Sequence, residues 1–290
     1  MIFVRLIGGI GNQMFQYAAA RRLAYAAKAA VIFDISHFKY YPGRSYALGH
    51  FNIQEQFLSS DEAERFNSEF QSRFKSLIRF LDKKRKRCPR YIKEKYFRFD
   101  PAVLRLGDNI YLDGYWQSEK YFIDITSLIK KEFTVTTPEE GRNKELASGI
   151  REVNSVSIHI RRGDFVSNPK ISKVHGTCGI DYYLRSVDYI SQKVDNPRFF
   201  IFSDDPEWAS QNLKLSYPNT IVKHNGTDKG YEDLRLMSQC KHNIIANSSF
   251  SWWGAWLNTN SEKIVVAPRR WFQTRGRDTK DLLPDSWMRL

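Results

Sequence analysis

The sequence predicts a protein of two α/β domains, each a Rossmann-like unit with a parallel sheet, that face a central cleft. Three observations favour this class. The first 35 residues follow the pattern strand, glycine turn, helix, strand. Beyond about residue 150, strand and helix patterns alternate. Strands that alternate with helices form parallel sheets whose faces are both covered. A polar segment separates the two halves of the chain.

The N-terminal pattern is typical of a βαβ unit. Its strands are "IFVRL" and "VIFDI", and its helix is "QMFQYAAARRLAYAAKAA". Alanine-rich composition favours the helix, and an apolar face supports it, formed by Phe15, Ala19, Leu23 and Ala26. The glycine turn invites comparison with dinucleotide-binding proteins, but Met14 occupies the position of their third glycine. A nicotinamide cofactor is therefore disfavoured.

The domain boundary is predicted in the polar segment "TVTTPEEGRNKELASG", which contains one proline and two glycines. The domains are accordingly placed at residues 1–140 and 141–290, and the last residues could pack back on the N-terminal domain. The predicted strands of the second domain are "SVSIHI", "RFFIFS", "TIVKH", "NIIAN" and "KIVVAP". Its helices are predicted to begin near Asp181, Pro206, Tyr231 and Ser249.

Bulk composition limits the class of protein. A chain of 290 residues with 42% hydrophobic residues can form globular cores. It shows no signal-peptide core and no apolar run that could cross a bilayer. Its three cysteines are far apart, which argues against a disulfide framework or a zinc site. The expected location is therefore the cytoplasm. The net charge of +13 indicates an acidic partner. The basic run Lys83–Arg87 is either a solvated segment or a peripheral contact with the anionic inner face of the cytoplasmic membrane.

Polar side chains follow three predicted strands of the second domain. They are His159, Arg161, Arg162, Ser203, Asp204, Asp205, Asn247, Ser248 and Ser249. Ligands of parallel α/β sheets bind outside the carboxyl ends of the strands. Guanidinium groups match phosphate oxygens, a serine-rich helix start offers backbone N–H groups, and carboxylates suit a ribose or a base. The set predicts a nucleoside diphosphate that carries a transferable group.

A purely structural interpretation of these residues is also open. Arg161 and Arg162 could pair with Asp164 or Asp204, and Ser248 could be only the N-cap of a helix. Either interpretation is reasonable for one motif alone. The coincidence of three motifs at three strand ends favours the ligand site.

Five segments carry a family resemblance, and together they extend from the N-terminus to about residue 270: "GGIGNQMFQYA", "GYWQSEKYF", "HIRRGD", "FFIFSDDPEW" and "EDLRLMSQCKHNIIANSSFSWWGAWL". Through them the chain resembles the α-1,2-fucosyltransferases of glycosyltransferase family 11. The resemblance implies a two-domain GT-B fold and an inverting mechanism. It also implies GDP-fucose as donor, the 2-hydroxyl of a terminal β-galactoside in an O-antigen-like or H-antigen-like glycan as acceptor, and no metal or other cofactor.

The resemblance also implies roles for the donor-site residues. Arg161 is expected to hold the β-phosphate and to stabilise the leaving GDP. His159, with Asp204 and Asp205, is expected to meet the guanosine. The residues expected to contact the phosphates are Asn247, Ser248, Ser249 and Phe250. Arg162 points to the opposite side of the strand end and is expected to be structural.

Asp164 is the candidate catalytic base, because direct displacement calls for a proton acceptor near the attacking hydroxyl. Orientation of the arginines is its alternative role. Some related fucosyltransferases have a glutamate five residues beyond this aspartate, where the present chain has Pro169. This departure leaves a residue of the first domain or the departing phosphate as other proton acceptors.

Candidate substrate contacts in the first domain are Gly11, Asn12 and Gln13, which would meet fucose or acceptor. Tyr115 and Trp116 are either core residues or a platform on which a sugar ring stacks.

Two other functions stay open from the sequence. The same fold could use another nucleotide sugar or acceptor, and the acceptor could be linked to a lipid. The chain could instead be a non-catalytic basic protein that binds glycans or nucleic acid, but it contains no nucleic-acid-binding module, so nucleic acid is not the expected partner.

Overall fold

The computed structural model describes residues 1–41, 43–71, 88–274 and 276–290. The chain divides into two compact units, Met1–Thr134 and Val135–Leu290. This division precedes the expected one after residue 140, because the polar segment that opens the second unit is bound to a helix of that unit. Arg235 Nη1 donates to the carbonyl of Thr137 over 2.6 Å, and Gln239 donates to Glu139. The basic run Lys83–Arg87 lies outside the described residues.

The first unit contains a parallel sheet and its covering helices. The strands are β1 (Ile2–Arg5), β2 (Val31–Asp34), β3 (Arg90–Lys93) and β4 (Ile110–Asp113), in the order β2-β1-β4-β3. The helices are α1 (Ile10–Ala27), α2 (Ser60–Gln71) and α3 (Thr126–Glu132), with 3₁₀ turns at Ser36–Lys39, Val103–Arg105, Glu119–Tyr121 and Ile123–Ile125. Strand β1 pairs in parallel with β2 and β4, and β3 pairs in parallel with β4. The predicted βαβ unit is confirmed.

Helix α1 begins inside the glycine turn, at residue 10 rather than at the predicted residue 13. Gly8, just before it, has a φ of +76°, a conformation that other residues rarely adopt. The predicted apolar face is buried at Phe15, Ala19 and Leu23 but exposed at Ala26. The exposure of Ala26 follows from the earlier helix end, which leaves this residue in the last turn.

The second unit has a larger parallel sheet. Its strands are β5 (Asn154–Ile160), β6 (Pro197–Ser203), β7 (Asn219–Val222), β8 (His242–Ile244), β9 (Val265–Ala267) and β10 (Met288–Arg289), in the order β10-β9-β8-β5-β6-β7. The helices are α4 (Gly141–Glu152), α5 (Gly163–Ser167), α6 (Pro169–His175), α7 (Ile180–Ser191), α8 (Pro206–Asn212), α9 (Gly230–Gln239) and α10 (Ser249–Leu257), with a 3₁₀ turn at Thr227–Lys229.

The last residues, which could have packed back on the N-terminal domain, form β10. This strand pairs with β9 and extends the sheet of the second unit. None of the helices that the structure describes is long and apolar enough to cross a membrane.

The order of strands places a topological switch beside β5. The chain passes from β5 to β6 and β7 on one side and then to β8 and β9 on the other. Ligands of such sheets bind at this switch, outside the carboxyl ends of the strands. Strand β5 is buried on both faces, because Ile158 and Ile160 are buried and so are Ser157 and His159. Polar residues leaving β5 are thus supported by core on both sides.

Helices α9 and α10 pack closely behind this edge of the sheet. Gly254 allows the approach, because a Cβ built on it would lie 3.0 Å from Cβ of Met237. The indole of Trp252 donates to the carbonyl of Leu282 over 2.9 Å and stacks on Trp256, with interplanar angle 12°. The start of α10 is therefore fixed by tight packing along the rest of the helix.

We expect Gly254→Val to lower the free energy of unfolding by about 1–3 kcal/mol, since the added atoms must displace the side chain of Met237. Gly149→Ala is the matched control, because a Cβ there meets nothing within 4 Å and alanine favours a helix interior. Urea unfolding measures both variants. Equal midpoints for Gly254→Val and the wild type would show that the two helices do not depend on this contact.

Candidate active site

Arg161 follows β5, and two carboxylates hold its guanidinium. Nη1 lies 2.9 Å from Oδ2 of Asp204, the residue after the end of β6, and Nη2 pairs with Asp164. The guanidinium carbon lies 5.4 Å from the centre of the Phe165 ring. The ion-pair network that the sequence allowed is therefore present, and it gives Arg161 a defined orientation before a ligand binds.

Arg162 is occupied by contacts of a different kind. Its backbone N–H donates to Oδ1 of Asp204 over 2.8 Å, and its Nε donates to Oδ2 of Asp205 over 3.1 Å. The guanidinium carbon lies 3.8 Å from the centre of the Trp208 ring. Asp205 also caps α8 by accepting the backbone N–H of Trp208 over 3.2 Å. These contacts support the structural role expected for Arg162.

Asp204 therefore contacts both arginines directly. The position of its carboxylate requires a glycine at residue 163. A Cβ at Gly163 would overlap the Asp204 carboxylate. The carboxylate bridges the ends of β5 and β6 through a backbone N–H and a guanidinium. The sequence assigned Asp204 and Asp205 to the guanosine, but the contacts of both carboxylates in the structure are to arginines and to the cap of α8.

His159 is a neutral side chain inside the strand end. It is 4% exposed, and burial, with the nearby Arg161 charge, lowers its pKa to about 3. Its Nδ1 is buried without a partner among the described residues. The imidazole lies 5.3 Å from the ring of Phe250, measured between centroids. An uncharged imidazole with an unused nitrogen can take part in a hydrogen bond to a ligand without adding charge.

The start of α10 lies on the same side. Ser248 is the N-cap residue and accepts the backbone N–H of Phe250 over 3.3 Å, so the capping interpretation is correct for its side chain. Ser249 and Phe250 open the helix, where backbone N–H groups lack intrahelical acceptors. A Cβ on Gly230 would lie 3.7 Å from the Phe250 ring. The starts of α9 and α10 therefore lie close together, a feature that the sequence analysis missed.

Asn247 differs most from its expected role as a phosphate contact. Its side-chain amide donates to the carbonyls of His175 over 3.0 Å, Gly176 over 3.2 Å and Trp271 over 3.1 Å. The side chain is 3% exposed. It joins segments that are far apart in sequence and so acts as a structural residue.

A polar cluster beyond β7 was also missed. Asn225 donates to Oδ1 of Asp233 over 2.7 Å, and His224 Nε2 lies 2.6 Å from Oδ1 of Asn143. Burial raises the pKa of Asp233 to about 6, against the effect of the Asn225 hydrogen bond. The sequence did not reveal this cluster, because it combines residues from three segments that are far apart in the chain.

The first-unit candidates divide into structural and accessible residues. Gln13 is fully buried. It donates to the carbonyls of Gly8 over 3.0 Å and Ser45 over 2.8 Å and accepts the N–H of Ala47, so its side chain fixes the loop at 45–47 rather than meeting a ligand. Oδ1 of Asn12 accepts from Gln117 over 2.7 Å. Gly11 lies buried in the first turn of α1.

Trp116 and Tyr115 have different environments despite being adjacent. Trp116 is 1% exposed and packs edge-on against Tyr121 at 5.6 Å between ring centroids. It is a core residue, and the sugar-stacking interpretation does not fit it. Tyr115 is 39% exposed. Both backbone N–H groups donate to the carboxylate of Glu94, over 2.8 and 3.0 Å, which fixes the turn.

Comparison with known proteins places the chain in a family. The family model described as Glycosyl transferase family 11 matches residues 1–289. An α-1,2-colitosyltransferase from Escherichia coli is 35% identical over 300 residues, covering 100% of this chain and 99% of the relative. The O-antigen biosynthesis glycosyltransferase WbnK from Escherichia coli is 34% identical over 319 residues, covering 98% and 99%. Galactoside α-(1,2)-fucosyltransferase 1 from Mus musculus is 26% identical over 176 residues, covering 58% of this chain and 45% of the relative.

Solved structures of similar fold include fucosyltransferases. A variant of FUT1 from Arabidopsis thaliana, in complex with GDP, has a TM-score of 0.54 at 12% identity, covering 98% of this chain and 72% of that one. The NodZ α-1,6-fucosyltransferase soaked with GDP-fucose has a TM-score of 0.50 at 12% identity, covering 88% and 92%. This likeness confirms the predicted GT-B type of α/β fold. With the family match over residues 1–289, it follows that the chain is a member of glycosyltransferase family 11.

Proposed function

We propose that this glycosyltransferase is an inverting α-1,2-fucosyltransferase that moves fucose from GDP-fucose to the 2-hydroxyl of a terminal β-galactoside, without a metal. The observation that carries the proposal is the guanidinium of Arg161, held at the topological switch by carboxylates from two segments. The mouse relative and NodZ are both fucosyltransferases, which supports fucose as the sugar.

In the proposed reaction, the bond between the fucose C1 atom and the β-phosphate oxygen breaks, and its electron pair leaves with GDP. The 2-hydroxyl oxygen of galactose bonds to C1 from the opposite side and gives up its proton to the departing phosphate, an acceptor that stays open when Asp164 orients Arg161. Negative charge develops on the departing phosphate, and a cation fixed in advance stabilises that charge most effectively. Arg161 has this property, because its contacts with Asp164 and Asp204 already define its orientation.

The start of α10 supplies the second interaction with the donor. Backbone N–H groups and the positive end of the helix dipole favour a diphosphate there. We assign the helix start at Ser249 and Phe250 to this contact. The Phe250 N–H donates to the Ser248 cap over 3.3 Å, and we propose that it shares this bond with a phosphate oxygen. His159, with its unused buried nitrogen, is assigned to the guanosine. Asp204 and Asp205 act on the donor indirectly, by positioning the arginines.

Asp164 is assigned to the orientation of Arg161 rather than to proton abstraction. Its carboxylate is paired with the guanidinium, and this charge-assisted contact fixes the direction in which Arg161 points. The two roles that the sequence left open therefore predict different kinetic behaviour.

A second candidate function is transfer of colitose from its GDP-linked donor. The observation that favours it is the 35% identity to an α-1,2-colitosyltransferase over 100% of this chain. The residues assigned above recognise GDP and its leaving phosphate, which the two donors share. The choice between the sugars therefore depends on contacts outside this set.

The proposed function is tested by GDP release from GDP-fucose and from GDP-colitose, each with lactose and with Gal-β1,3-GalNAc, in the presence of chelator. We expect acceptor-dependent release with GDP-fucose and an α-1,2 linkage in the product by NMR. A higher kcat/KM with GDP-colitose would select the second candidate. Release that returns only after Mg²⁺ is added would contradict the metal-independent mechanism.

Replacement of Arg161 tests its contact with the leaving group. We expect Arg161→Ala to lower kcat by about 10²–10³-fold, as for loss of one transition-state donor. Arg161→Lys should recover part of this loss, since it keeps the charge but not the two-pronged guanidinium. Circular dichroism checks the fold of both variants. Near-normal turnover by folded Arg161→Ala protein would remove this residue from the mechanism.

Asp164→Asn distinguishes orientation from base catalysis. If Asp164 orients Arg161, we expect kcat to fall about tenfold, since one charged hydrogen bond of about 1.5–3 kcal/mol is weakened. The decrease of kcat at low pH should then remain in the variant. A general base predicts a loss of about 10²–10⁴-fold and disappearance of that decrease at low pH. The measurement is kcat from pH 5 to pH 9 for both proteins; the second pattern would overturn the orienting role.

A further inference from the structure

A cavity of about 450 Å³ lies in the second unit, beside the carboxyl ends of β8 and β9. Its wall is formed by the start of α7, by Asn247 after β8 and by the segment from Pro268 to Gln273 after β9. This volume falls within the ~300–1,000 Å³ typical of small-molecule sites. None of the donor contacts proposed at Arg161, His159 or Phe250 lines it.

The charged side chains that line the cavity are all basic. They are Arg185, Arg269 and Arg270. All three are exposed, and among the described residues none of them forms an ion pair with an Asp or Glu side chain. A fourth guanidinium, that of Arg277, lies 4.6 Å from the ring of Phe272 in the cavity wall. The wall therefore favours an anionic ligand.

The cavity adjoins the proposed donor site through two aromatic rings. His175 lines the cavity and stacks on Phe165, with 4.7 Å between the ring centroids. The guanidinium carbon of Arg161 lies 5.4 Å from the centre of the Phe165 ring. Asn247 contributes to the wall and immediately precedes the cap of α10. Two packed rings, those of His175 and Phe165, would thus separate a ligand in the cavity from the guanidinium of Arg161.

Burial of the cavity's histidine agrees with this placement. The pKa of His175 is lowered by burial and then by Arg277, with Asp164 opposing and Arg161 adding to the decrease. The same histidine therefore experiences the charges of the cavity and of the Arg161 network. A neutral His175 leaves the arginines as the cations that meet a ligand.

We propose that this cavity binds a phosphate-bearing part of the acceptor, such as an oligosaccharide esterified by phosphate or diphosphate. The inference rests on the proposed function, since it extends that site from donor to acceptor. Guanidinium groups match phosphate oxygens with paired N–H donors, and three such groups suit a ligand of more than one negative charge. The phosphate can belong to a lipid carrier or to a free sugar phosphate.

The test compares the double variant Arg269→Gln, Arg270→Gln with the wild type. The matched control is Arg198→Gln, Lys214→Gln, which removes two exposed positive charges near the opposite edge of the sheet. Three galactoside acceptors are used: uncharged, bearing a reducing-end phosphate, and joined to a lipid by diphosphate. The donor is whichever GDP-sugar is turned over. GDP affinity is measured by calorimetry.

We expect the wild type to show a KM for the phosphorylated acceptors about tenfold below that for the uncharged one, which corresponds to ~1.4 kcal/mol. The cavity variant should lose this difference and keep its kcat, its KM for the uncharged acceptor and its GDP affinity. The control should keep the difference. Preference for both phosphorylated acceptors assigns the site to the phosphate itself, and preference for the lipid form alone assigns it to the carrier diphosphate.

Equal KM values for all acceptors in the wild type would overturn the inference and leave the proposed function intact. Weaker GDP binding by the cavity variant would also overturn it, because the arginines would then serve the donor. If no galactoside is a substrate, the proposed function fails; calorimetric binding of the galactoside phosphate to the GDP complex, lost in the cavity variant, would then support the anion site by itself.

Discussion

The donor edge of the second unit depends on the position of one carboxylate, that of Asp204. It accepts the backbone N–H of Arg162 and pairs with the guanidinium of Arg161, so it joins the ends of β5 and β6. Gly163 is required for this approach, because a side chain there would overlap the carboxylate. Breaking a partly buried pair leaves the remaining charge uncompensated, which is more costly than the net stability of the pair suggests.

This arrangement has a consequence for how a diphosphate can bind. The arginines at the strand end already face Asp164, Asp204 and Asp205, so their charges are largely balanced. A diphosphate adds further negative charge, and it needs positive potential from another source. The start of α10 has no acidic residue in its first turn, so it supplies N–H groups and the positive end of its dipole without an accompanying carboxylate. The arginines contribute directed hydrogen bonds, and the start of α10 contributes the unbalanced potential.

The sequence was sufficient for the fold because its signals are local. Strand alternation, alanine-rich helix composition and the position of polar residues after strands all depend on a few neighbouring residues. The site was only partly predictable because its contacts are distant in sequence. Gln13 is fixed by the loop at 45–47, and Asn247 is fixed by carbonyls near residues 175 and 271. Sequence identified these polar residues but not that both are structural.

Asn247 shows how such a structural residue can still connect two parts of a reaction site. Its amide holds the carbonyls of His175, Gly176 and Trp271, which lie in or beside the arginine-lined cavity, and the next residue caps α10. Each buried carbonyl that loses its donor lowers the stability by about 1–3 kcal/mol. Separation of the segments around the cavity from the helix start is therefore unfavourable. Movement at one must therefore be accommodated at the other. An acceptor bound in the cavity and a diphosphate bound at α10 would share this single buried amide as their common support.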